Sequence, residues 1–131
     1  MIEAGLTDRL TNDADLYALI AGRVYGLIAP QNIVTPFVVF TKITDVADGG
    51  YCAHDPMVES LFQFDSYAKT YQLSLQVAAA VRDALIDFRG PMGGAHVGSI
   101  RQQGEIQLLD PEPGLFRVST TLFIWHSNLT E

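Results

Sequence analysis

The eight residues FVVFTKIT, Phe37–Thr44, restrict the fold more than any other stretch of the chain. Aromatic and β-branched side chains predict a strand here. Its first half is apolar at every position, and so on both faces of the pleat. A strand with one wet face alternates, whereas one apolar on both faces is covered on both. A sheet in which Phe37–Thr44 is a central strand is therefore expected. Pro30 and Pro36 frame the loop PQNIVTP ahead of it, each biasing its preceding residue away from helix.

The remaining periodicities supply what packs on that sheet. Ile2, Leu6 and Leu10 share one helical face, and Leu16, Leu19 and Ile20 continue a stripe after the N-cap candidates Asn12 and Asp13. One helix, or two short ones, is expected over residues 2–21, closed by Gly22 as a C′ glycine. Val24–Leu27 reads as a short extended piece. Thr70–Phe88 is the clearest helix, capped by Thr70, with Leu73, Val77, Val81, Ala84, Leu85 and Phe88 as its apolar stripe.

ESLFQFDSYA reads as a strand with Phe62, Phe64 and Ser66 on one face. Two short strands are expected near His96–Gln102 and Glu105–Asp110, with GPMGG before them as a flexible turn. LFRVSTTLFIWHS is the final strand, placing Val118, Thr120, Leu122 and Ile124 on one face. No βαβ alternation appears. The expected fold is therefore α+β, a mainly antiparallel sheet flanked by an N-terminal helix and one long central helix. Its length suits a single domain over 1–131.

Charge and cysteine content exclude several function classes. Eight basic against 15 acidic residues give a net charge of −7, with no basic run. Tight nucleic-acid binding is disfavoured, although an acidic wall lets DNA pass without adhering. Cys52 is the only cysteine, so no intrachain disulfide forms and a reducing compartment fits. The N-terminus has no signal-peptide pattern and no window is apolar enough for a membrane span, so folding in the cytoplasm is expected, with no membrane partner.

The candidate chemistry is sparse. Cys52, His54 and Asp55 cluster in DVADGGYCAHDPM, but structural zinc needs four ligands at characteristic spacings, and no second pair exists. A Cys52–His54 nucleophilic pair lacks an orienting third group and an oxyanion hole. GPMGGAHVG lacks the Lys-Ser/Thr ending of a phosphate loop and follows a helix where a cradle should lead into one. His96 and His126 are expected at strand edges, and Phe123 and Trp125 in a core or a subunit contact. No catalytic residue, cofactor site or metal site is nominated, and a non-enzymatic assembly subunit is expected.

One run carries a resemblance. Gly22-Arg23-Val24-Tyr25, Ala29-Pro30-Gln31 and Pro36-Phe37-Val38-Val39-Phe40, followed by the Leu61–Tyr67 strand and the Ala78–Leu85 helix, resemble the small tail-completion proteins of long-tailed phages and gene-transfer particles. The resemblance implies a tail terminator, or head–tail joining subunit. Such subunits form a ring, typically hexameric, on the head-proximal end of the tail tube. The partners implied are other copies of the chain, the tail tube protein and the head connector or stopper, with DNA passing through the channel without specific binding. The location implied is the virion tail, assembled in the host cytoplasm.

A ring requires a heterologous contact that closes, and long loops or exposed strand edges suit it. The expected contact residues are Asp48, Gly49, Gly50, Tyr51, His54 and Met57 in the Asp45–Met57 loop, with Met92 and His96 at the GPMGGAH turn. Removing residues 47–55 is expected to impair ring formation or tail attachment. The competing readings are a tail-tube or connector subunit of the same particle and a small ligand-binding α+β domain, which would need a pocket with converging polar groups.

Overall fold

The computed structural model describes residues 2–28, 34–48, 57–86, 88–110 and 114–127, with the backbone alone at 46–48, 57 and 110. Helices α1 (Ile2–Asn12) and α2 (Ala14–Ile20) are followed by strands β1 (Val24–Gly26), β2 (Phe37–Asp48) and β3 (Met57–Ala68). Helix α3 (Tyr71–Leu85) then leads to β4 (Gly90–Met92), β5 (Ala95–Asp110) and β6 (Leu115–Ser127). The six strands form one sheet in the order β1-β2-β3-β6-β5-β4. Every neighbouring pair is antiparallel except β1 with β2. The expected α+β class with a mainly antiparallel sheet is the observed one, the single parallel pair being β1 with β2.

Alternation along the strands sorts the sheet into two faces. Val38, Phe40, Phe62, Phe64, Leu122 and Ile124 meet Leu6, Leu10, Leu16, Val77, Val81 and Leu85 from the helices in the main core. Burying a side chain of this size stabilises by about 1.5–3 kcal/mol. On the opposite face Phe37, Val39 and Leu115 form a second cluster with Tyr25 and Tyr67, and no described helix contributes to it. Phe37 stacks on Tyr67 with ring centroids 4.8 Å apart. The double-sided apolarity of Phe37–Phe40 thus has two separate causes, helices on one side and an aromatic cluster on the other.

The helices end close to where their sequence signals lie. Thr70 caps α3, its Oγ1 accepting from the Leu73 N–H at 3.2 Å. The helix stops at Leu85, one turn before Phe88. Asp13 occupies the N-cap of α2 without a side-chain capping bond, and Ala21 and Gly22 both take positive φ beyond its end.

Three expectations about loops change. GPMGG is not a flexible turn: Gly90–Met92 is a strand, and Gly93 and Gly94, at φ 58° and 84°, form the two-residue hairpin turn to Ala95. Both positive φ values match a type I′ turn, which glycine enters without a Cβ penalty. The two short strands at 96–110 are one strand, β5, interrupted by bulges after Val97 and after Gln102. β2 runs to Asp48 and β3 starts at Met57, so the long Asp45–Met57 connection is a hairpin whose strands pair up to Asp48 and Met57.

Candidate assembly surfaces

The register gathers most of the described contact candidates at one end of the sheet. Asp48 pairs with Met57, Met57 with Ser127, and the Ser127 hydroxyl accepts from the His96 N–H at 2.9 Å. His96 pairs in turn with Pro91, beside Met92. The β2–β3 hairpin and the β4–β5 turn, distant in sequence, therefore open on the same side of the molecule. Gly49, Gly50, Tyr51 and His54 lie outside the described residues, as do Cys52 and Asp55.

Of the other candidates, His96 is exposed, whereas Met92 is buried in the main core and cannot present its side chain at a surface. The reason is α1. A Cβ on Gly5 would stand 2.5 Å from the Gly93 nitrogen, so the helix lies directly on the β4–β5 turn and covers Met92. Gly5 costs α1 helix propensity, and close approach explains its presence.

Beneath this end lies a polar network that connects three strands and a helix. A bulge between Lys42 and Thr44 turns both Lys42 and Asp45 toward the helices, and leaves Ile43 exposed. Ser60 donates to the Asp45 carboxylate, and the same hydroxyl lies 2.7 Å from His126 Nε2. His126 Nδ1 lies 2.6 Å from the Ser127 carbonyl, an acceptor, so this nitrogen donates. His126 is not a strand-edge residue: it is fully buried on β6, between β3 and β5. It continues the Val118–Thr120–Leu122–Ile124 face by one more alternation, as Ser60 does for Phe62 and Phe64.

Lys42 Nζ bridges Asp45 at 3.2 Å and Glu3 of α1 at 3.0 Å. Partial burial pushes the Glu3 carboxyl up, but its backbone hydrogen bond and Lys42 outweigh this and hold it below the usual range. Burial likewise opposes ionisation of Asp45, and Ser60 and Lys42 together hold its carboxyl low. Burial disfavours the Lys42 ammonium, yet its two carboxylate partners raise its pKa. These groups are ordered for structure. In a Ser-His-Asp relay the imidazole stands between hydroxyl and carboxylate, whereas here Ser60 stands in the middle and is itself fully buried.

An open groove of about 440 Å³ lies between α1, α3 and β4, lined by Asp8, Arg9, Asp83 and Phe88 among others. Arg9 is already engaged there, donating to the Ala84 carbonyl at 2.5 Å and lying 4.0 Å over the Phe88 ring. Among the described residues no cluster of three His, Cys, Asp or Glu could hold a metal ion, and no helix is long and apolar enough to cross a membrane.

Exposed apolar side chains concentrate instead at the two edges of the sheet. Leu27 and Ile28, each 70% exposed, flank β1, and Ile43 lies further along the same edge. Ile106 at 61%, Leu108 at 40% and Leu109 at 58% line the other edge, on β5. Sequence reasoning placed a break near Gly104 and did not single out this edge.

A family model described as tail completion protein gp17 matches residues 4–127. A chain of the virion of a native gene transfer agent (GTA) particle has a similar structure, at a TM-score of 0.78 and 16% sequence identity, covering 97% of this chain and 95% of that one. No curated protein matches the chain.

Proposed function

This chain belongs to the tail completion protein gp17 family, and from that membership we propose that it forms a ring capping the head-proximal end of a tail tube. Its role is structural, in the tail of a virion or gene-transfer particle. The ring ends tube polymerisation and joins the finished tail to the head connector or stopper. The observation that carries this reading is the family match, which spans residues 4–127 and so takes in both helices and sheet.

Three features of the molecule support it. A terminator must present different surfaces to its own copies, to the tube and to the connector. The end formed by the β2–β3 hairpin and the β4–β5 turn offers one such surface, and the two apolar sheet edges offer others. The helix layer is acidic: Glu3, Asp8, Asp13, Asp15 and Asp83 outnumber Arg9 and Arg82. A surface of that sign repels phosphate and suits a channel that DNA crosses without sticking.

Native mass spectrometry of the purified chain tests the reading. A closed ring, expected to be a hexamer, or reversible association of monomers into one, is the expected result. Open-ended growth into tubes would assign the chain to the tube. A monomer that stays a monomer with tail tubes present would remove the proposal.

A further inference from the structure

Both edges of the sheet are half covered, and they are covered at opposite ends. At one edge β1 pairs only with Val38–Phe40, so β2 from Thr41 to Asp48 has no strand outside it among the described residues. At the other edge β4 pairs only with Ala95–Val97, so β5 from Gly98 to Asp110 is open in the same sense. The register carries levels across the sheet. Val39 pairs with Asp65, Asp65 with Ser119, and Ser119 with Ile106. Tyr25 of β1, paired with Val39, is therefore level with Ile106. Val97 pairs with His126, His126 with Val58, and Val58 with Ala47, so β4 lies level with the far end of β2. Each edge is a step, and the two steps are complementary.

We infer that β1 of one copy of this chain docks on the open stretch of β5 in the next, so that the sheet continues across the subunit boundary; this rests on the ring reading above. β1 and β2 run in one direction and β5 in the other, so side-by-side copies bring β1 antiparallel to β5. An antiparallel ladder is slightly the more stable arrangement per residue. Tyr25 and Ile106 also lie on the same face, the one away from the helices, as residues level in a continuous sheet must. At the other end of the joint, β4 fills the step outside β2. The contact is heterologous, as a closed ring demands.

The placement of apolar surface agrees. Six of the nine large hydrophobic side chains exposed among the described residues lie on these two edges: Leu27, Ile28 and Ile43 on one, Ile106, Leu108 and Leu109 on the other. A long open edge carrying such residues is an aggregation hazard in a monomer, which proteins blunt with charge or cover. From Ile106 to Leu109, β5 carries no charge at all. A second copy covers it.

Disulfide trapping with full-length chains lacking Cys52 (Cys52→Ala) tests the pairing. Directly opposed residues on antiparallel strands bring their Cα atoms within about 4.5–5.5 Å, inside the span that a disulfide bridges. Tyr25→Cys and Ile106→Cys combined in one chain are expected to give a ladder of linked oligomers under oxidation. Ile106→Lys, at an exposed position, is expected to keep the unfolding midpoint while weakening self-association at least tenfold. Rings that form without cross-linking and tolerate Ile106→Lys would overturn the inference and leave the ring reading standing. Dimers trapped by Ile106→Cys alone would show a two-fold β5–β5 contact and also overturn it. Failure of the Cys52→Ala parent to assemble at all would overturn both.

Discussion

Replacing Ser60 by alanine is expected to cost about 1–3 kcal/mol, because it leaves the buried His126 Nε2 without its hydroxyl partner and removes one bond to Asp45. Urea unfolding should show a lower midpoint at unchanged slope; an unaltered midpoint would mean that the network contributes nothing to stability. The role of Ser60 was accessible in principle, since the alternation of Phe62 and Phe64 extends to it. What the sequence did not disclose was the bulge at Ile43, which turns Asp45 toward Ser60. A one-residue slip exchanges the faces of everything beyond it, and nothing in FVVFTKIT marks where the slip falls. Met92 was misread for a related reason. Its burial depends on Gly5, almost ninety residues away in sequence, admitting α1 against the turn.

At the scale of elements, Lys42 fastens α1 to β2 through Glu3 and Asp45, and this joint is pH-dependent. Both carboxyls have lowered pKa values in the folded chain. Their contribution is complete above the ordinary carboxylate range, about pH 4–4.5, and is lost as pH falls through the lower folded values. Lys42 has the opposite sign, its pKa being raised. Its contribution is complete below about pH 10.4 and is lost as pH rises through the folded value. Unfolding midpoints measured across pH should fall at both extremes, and Lys42→Met should flatten both limbs. Unchanged limbs in that variant would count against the joint. Elements with a strong local signature were legible: α3 from its stripe and Thr70, β2 from its double-sided apolarity. The sequence marks β1 only as a short extended piece at Val24–Leu27 and places β4 inside a turn, because three-residue strands take their conformation from the neighbours they pair with. β5 was read as two strands because Gly104 signals a break, whereas pairing with β6 carries the strand through it as a bulge.

The whole molecule separates a stable body from the end that we assign to partners. Asp48 pairs with Met57, so residues 47 and 48 belong to the strand and a deletion of 47–55 would damage the sheet itself. The informative variant replaces residues 49–56 by Asn-Gly, which forms a two-residue hairpin turn. It is expected to unfold at the parent midpoint and still fail to complete tails. Full tail completion by this variant would remove the hairpin from the contact surface.

The decisive measurement images tails by electron microscopy, assembled with and without this chain. With it, tails should have uniform length, a ring at the head-proximal end, and heads attached. Without it, they should vary in length or remain unjoined. Uniform tails carrying heads in the absence of the chain would contradict a terminating and joining role.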